Sequence, residues 1–141
     1  MRYFAVIDTN VLASAMLKHN SVPGKVMEYV LVGPIIPVFN AEIFSEYREV
    51  LSRPKFKFPQ GIIDEILFAL ESRGLRIDAE SIDIELPDPK DRVFYEVVLE
   101  KRKSEDAYLV TGNIKHFPVT SFVVTPKEML DIVLTGTERR N

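Results

Sequence analysis

Four short runs rich in β-branched and aromatic residues, Tyr3–Ile7, 34–39, 107–111 and 121–124, are separated by longer stretches with the period of amphipathic helices. Strands joined through helices cannot form tight hairpins, so they pair as parallel neighbours. This alternation restricts the chain to an α/β fold of three layers, α/β/α, around a central parallel sheet of four to five strands. The spacing predicts helices over 11–18, 23–32, 41–52, 60–73, 91–102 and 127–134. Pro23 and Pro126 suit helix starts, and Pro54 suits a stop just after the third helix. The segment 75–87 has no clear period and offers one short strand around Arg76 and Ile77. One domain is expected over residues 1–137, with 138–141 as a frayed tail.

With 141 residues, 46% of them hydrophobic, the chain can bury a continuous core without staples. It has no cysteine, which excludes disulfides, thiolate metal sites and a cysteine nucleophile. The apolar runs fall far short of the ~20 residues that cross a bilayer, and no basic, apolar leader precedes the first strand. A soluble, cytoplasmic protein without membrane partners is expected. Lys and Arg number 18 against 21 Asp and Glu, a formal charge of −3, so any nucleic-acid contact must use a local patch.

The acids carry the chemistry. Asp8 sits between the run Tyr3–Ile7 and the first helix, and open α/β sheets place ligand sites outside the carboxyl ends of their strands. Capping of that helix is the competing reading. On the third helix, Ile43, Phe44, Tyr47, Val50 and Leu51 form an apolar stripe, and Glu46 is the acid nearest to it. A boundary glutamate reaching into water is the alternative. Asp91 shares a helix face with Phe94 and Val98, and an inward acid needs a partner; simple N-capping competes here too. The last apolar strand ends in Thr111-Gly112-Asn113.

In a right-handed parallel sheet, Asp8, Glu46, Asp91 and Asn113 gather at one edge. Clustered carboxylates repel one another, and a bound cation is one remedy. Oxygen ligands without His or Cys suit one or two Mg²⁺ or Mn²⁺ ions, which can activate water and stabilise charge on a phosphate. Phosphodiester hydrolysis follows as the natural chemistry.

In order and spacing, Ile7-Asp8-Thr9-Asn10-Val11-Leu12, Ser45-Glu46-Tyr47-Arg48 with its continuation to Phe56, Asp88-Pro89-Lys90-Asp91 and Tyr108 to Asn113 resemble the PIN-domain family, in the branch of toxin components of toxin–antitoxin pairs. The resemblance implies a metal-dependent ribonuclease acting on single-stranded RNA, a homodimer and an antitoxin partner. It implies that Asp8, Glu46 and Asp91 are the metal ligands, that Asn113 assists catalysis, and that Thr9, Asn10 and Thr111 position substrate, with capping of the first helix a further role for Asn10. Asn113 departs from the family's usual Asp: a neutral carbonyl oxygen holds a second cation more weakly. Asp106 belongs at the opposite end of its strand and does not replace the missing acid.

For RNA, Arg48, Arg53, Lys55 and Lys57 interleave with Phe56 and Phe58, a pattern that pairs phosphates and stacks bases; packing of the two rings between helices is the alternative. His19 and His116 stand without ligand spacing, and neither is assigned to the site. A haloacid-dehalogenase-like phosphatase would want an acid where Asn10 stands, and a receiver domain an Asp where Phe39-Asn40 follows the second strand. A noncatalytic module that keeps the fold and an RNA- or antitoxin-binding surface is the remaining alternative, given Asn113.

Overall fold

The structure, a computed structural model, describes the backbone of residues 1–139 and the side chains of residues 1–136. Five parallel strands, β1 (Tyr3–Ile7), β2 (Ile35–Phe39), β3 (Leu75–Arg76), β4 (Ala107–Val110) and β5 (Val123–Val124), form one sheet in the order β3-β2-β1-β4-β5. The helices are α1 (Thr9–Leu17), α2 (Val22–Val32), α3 (Ala41–Leu51), α4 (Gln60–Arg73), α5 (Arg92–Arg102) and α6 (Pro126–Arg139). Three-residue 3₁₀ turns occupy Pro54–Phe56, Pro89–Asp91 and Ile114–His116. The expected three-layer α/β/α fold with a parallel sheet of five strands is what the chain adopts.

β1 is the middle strand, and Ala5, Val6 and Ile7 are almost fully buried because both of its faces are covered. On one face α5 lies over the sheet, with Lys101 Nζ 4.2 Å from the centroid of the Phe4 ring. On the other, α6 crosses Tyr3 so closely that a Cβ at Gly136 would collide with the Tyr3 hydroxyl. α2 packs between α6 and α4, and α1 packs on α2 and α3. Phe39, Ile43, Leu67, Phe94, Leu109 and Met129 are among the largest fully buried side chains, so every layer contributes to one core.

Local sequence explains most boundaries. Ser21 caps α2 through Gly24 N (3.1 Å), and Asn40 caps α3 through Ile43 N (2.9 Å), so α3 begins directly after β2. Pro37 stands in an interior strand, where it lacks an N–H. Ile77 donates to Phe39 O (2.9 Å), which places the odd-numbered positions of β2 toward β3. β3 begins only opposite Val38, so the donor missing at Pro37 has no waiting acceptor. α1 begins two residues earlier than its periodicity suggests, directly behind Asp8, and β5 is half as long as its apolar run. α6 runs on through Thr135-Gly136-Thr137, poor helix formers, because its packing against α2, β4 and β5 outweighs propensity. It covers the first two residues of the expected tail; residues 140 and 141 lie outside the described residues. No helix among the described residues is long and apolar enough to cross a membrane.

Candidate functional site

The chain leaves β1 toward β2 on one side, while β4 flanks β1 on the other. Strand connections that diverge in this way open a crevice at the carboxyl ends of the two neighbours. Asp8 follows β1 and Thr111 follows β4, so both stand at that crevice. The Asp8 amide donates to Val110 O (2.9 Å), and Thr111 Oγ1 donates to Asp8 Oδ2 (2.8 Å). Asp8 therefore does not cap α1, which has no side-chain cap. The residue as a whole is only 6% exposed. Burial above all lifts its pKa from 3.8 to about 6; the Thr111 hydrogen bond opposes the rise, and the charges of Asp91 and Glu46 add to it.

Glu46 is brought to the same place by its neighbour. Tyr47 is buried and its hydroxyl donates to Ile7 O (2.5 Å), which fastens α3 to the end of β1. One position earlier on α3, Glu46 Oε2 accepts a very short hydrogen bond from Thr9 Oγ1. The side chain is half-buried and faces the crevice, not open water. Burial again raises its pKa most; the Thr9 bond opposes this, Asp91 and Glu49 add to it, and Lys90 lowers it. Of the expected apolar stripe, Ile43, Tyr47 and Leu51 are buried, while Phe44 and Val50 are partly covered.

Asp91 closes the 3₁₀ turn Pro89–Asp91, whose start is capped by Asp88 Oδ1 accepting from Lys90 N (3.0 Å). It makes no capping bond to α5. Its Oδ2 lies 3.1 Å from Nδ1 of His116. Burial raises the Asp91 pKa, His116 holds it down, and Asp88 raises it further.

A cavity of about 410 Å³ is lined by all three acids together with Thr9, Asn10, Asn113, His116, Arg53, Lys55, Phe56 and Lys90. Thr111 lies beneath it, fully buried, and its Oγ1 also accepts from the Asn113 amide (3.0 Å). Asn10 departs from expectation: as the second residue of α1 it cannot cap that helix, and its Oδ1 accepts instead from Gly112 N (3.4 Å). Asn113 is exposed at the mouth of the cavity.

The basic candidates divide. Arg53 and Lys55 line the cavity, Arg53 paired with Glu49 (3.0 Å). Arg48 is held on the α3–α4 surface by Asp64 (3.0 Å), and Lys57, at φ 56°, ends the 3₁₀ turn Pro54–Phe56; neither lines the cavity. Phe56 and Phe58 stack at 5.3 Å and pack on the core, and Phe56 also lines the cavity. Asp106 stands at the other end of β4, 3.9 Å from Arg102. His19 lines a separate apolar groove of about 300 Å³ with Leu12, Met16 and Met27.

Two residues escaped the sequence reading. Lys90 lies between the paired acids Asp88 and Asp91, where it reads as an ordinary solvated charge. His116 is an isolated histidine without ligand spacing, so the sequence alone does not mark it. A usable signal existed: in a 3₁₀ turn residues three apart eclipse, so His116 shares the face of Asn113.

The donors suit a hard cation. The carboxylate residues Asp8, Glu46, Asp88 and Asp91 and the amide residues Asn10 and Asn113 line one cavity, and burial and neighbouring acids both raise the pKa of Asp8. Among the described residues no three His, Cys, Asp or Glu side chains stand close enough to enclose one ion. Mg²⁺ does not need such a cage, since it keeps several waters and binds through one or two carboxylates plus substrate phosphate.

A family model described as PIN domain matches residues 5–115. An uncharacterized protein of Methanocaldococcus jannaschii is 28% identical, with 89% of this chain and 88% of that protein covered. No solved structure matches the chain significantly.

Proposed function

This chain belongs to the PIN-domain family, whose members are generally nucleases, and from that premise we propose that it is a Mg²⁺- or Mn²⁺-dependent endoribonuclease acting on single-stranded RNA. The observation that carries this reading is Asp8. A buried aspartate at a strand end, its pKa raised by burial and by the charges of Asp91 and Glu46, is costly to the fold and calls for a cation. Asp8, Glu46 and Asp91 would hold that cation, with Asn113 assisting through its side-chain oxygen. A bound divalent ion would supply water activation and charge neutralisation at the scissile phosphate.

The chain's own groups do the rest. Thr111 and Thr9 donate to Asp8 and Glu46, restricting the orientation of each carboxylate at the cavity. Lys55 and Lys90, with no ion pair among the described residues, give the acidic cavity a cationic rim for backbone phosphates. Asn10 and Gly112 tie α1 to the loop after β4, holding the two sides of the crevice in register.

Cleavage of a mixed single-stranded RNA in Mn²⁺, Mg²⁺ or chelator tests this, with Asp8→Asn and Asn113→Asp alongside. Metal-dependent cutting that disappears in Asp8→Asn is expected, with a gain in Asn113→Asp. Cutting only by Asn113→Asp would recast the natural chain as a binding module, and metal-independent cutting would refute the reading. On the strength of the sequence resemblance, the same reading includes a homodimeric toxin restrained by an antitoxin. Induced expression should then arrest a bacterial host, and arrest that persists in Asp8→Asn would oppose it.

A further inference from the structure

His116 reaches Asp91 across 25 residues of sequence, and the fold builds that contact with care. The turn Ile114–His116 is closed by His116 N donating to Asn113 O (2.9 Å) and Phe117 N donating to Ile114 O (3.2 Å). Immediately after it, Phe117 is 5% exposed and its ring lies 6.3 Å from that of Tyr95. Tyr95 stands four residues after Asp91, in the first turn of α5. A buried aromatic pair thus pins the turn to the helix that begins directly after the acid, and the imidazole lands on Asp91 Oδ2 at 3.1 Å.

A carboxylate facing a solvent-filled cavity rotates freely about its last bond unless something holds it. Asp8 and Glu46 are held by threonine hydroxyls; Asp91 is held by an imidazole. With Oδ2 committed to Nδ1–H, Oδ1 is the oxygen left for a cation. We infer that His116 is a positioning residue of the cation site, orienting Asp91 through Nδ1 in the geometry in which that acid binds metal. The inference rests on the reading of Asp8, Glu46 and Asp91 as cation ligands. Groups that orient a metal ligand commonly affect affinity by about 10- to 100-fold when lost.

The test is Mn²⁺ binding to the RNA-free protein, followed by the electron paramagnetic resonance signal of free Mn²⁺. Wild type is compared with His116→Ala, His116→Asn, His116→Gln and Asp8→Asn, and thermal unfolding in chelator is recorded for each. His116→Ala should weaken Mn²⁺ binding by about tenfold or more. The side chain is 40% exposed, so metal-free melting should scarcely change. Asn places its amide nitrogen where Nδ1 stood and should restore binding; Gln, whose nitrogen sits farther out, should not. Wild-type affinity in His116→Ala, or rescue by Gln and not Asn, would overturn the inference. Weakened binding that tracks a lower melting temperature in every variant would overturn it in favour of a structural role. If wild type binds Mn²⁺ and Asp8→Asn does not, the parent reading survives whatever His116 does. If wild type binds none, both fall.

Discussion

Replacing Asp8 by Asn should make the metal-free protein more stable at neutral pH, and the gain should depend on pH in a calculable way. The folded protein binds the Asp8 proton more tightly than the unfolded chain does, since its pKa rises from 3.8 to about 6. A raised folded-state pKa means that Asp8 costs nothing below about pH 4. The cost then grows as pH rises and is complete above the folded pKa. Each tenfold change in proton affinity is worth about 1.4 kcal/mol, so ionised Asp8 costs the fold roughly 3 kcal/mol at pH 8. Asn keeps an oxygen that can accept from Thr111 and removes the charge. Urea unfolding of wild type and Asp8→Asn in chelator, from about pH 4 to pH 8, gives the difference directly. The variant should gain roughly 3 kcal/mol on wild type across that range. Excess Mg²⁺ should then stabilise wild type and leave the variant unmoved. A difference that stays flat with pH would refute the claim that a buried, uncompensated carboxylate lies at the centre of this site.

Thr111→Val removes the hydrogen bond that favours ionised Asp8, so the apparent pKa of Asp8 should move further up and the neutral-pH stability should fall; NMR titration of the Asp8 carboxyl carbon would show it. Tyr47→Phe strips the Ile7 carbonyl of a buried donor and loosens α3 from β1. It should cost about 1–2 kcal/mol in urea unfolding and weaken Mn²⁺ binding through Glu46. Tyr3→Phe should be neutral or stabilising by about 1 kcal/mol, because the Tyr3 hydroxyl is buried with no partner among the described residues. Gly136→Ala should be clearly destabilising in wild type and less so in Tyr3→Phe, a coupling that a double-mutant cycle of melting temperatures would detect.

The layers of this fold were legible because strand runs and helix periods are local signals, and α4 begins and ends where its apolar period does. So was Asp8, because a strand followed at once by an acid and a helix has a defined place in a parallel sheet. Its partner was not derivable from residues: Thr111 lies 103 positions away and meets Asp8 only through the pairing of β1 with β4. Glu46 was marked by the stripe beside it, yet what turns it inward is the Tyr47 hydroxyl on a main-chain oxygen, which an apolar count treats as hydrophobic surface. Capping statistics misled for Asn10, since a residue good at starting helices sits inside one and bonds across the crevice. The basic run divides for a similar reason: Arg48 and Lys57 stand beside cavity residues in sequence yet do not line the cavity, Arg48 being paired with Asp64 and Lys57 ending the 3₁₀ turn.

The position of β1 has a consequence for how the chain comes into being. It precedes the other four strands of its sheet in the chain and is the middle strand of that sheet, with one neighbour drawn from residues 35–39 and the other from residues 107–110. Until the latter emerge from the ribosome, one entire edge of the most buried strand stands open, a template for pairing with another chain. The same interval keeps Asp8 without Thr111 and Asp91 without His116, so a stalled or truncated product is both sticky and without its finished site. Translation arrested near residue 105 should therefore yield chains that associate with holdase chaperones, and release of the complete chain should end the association.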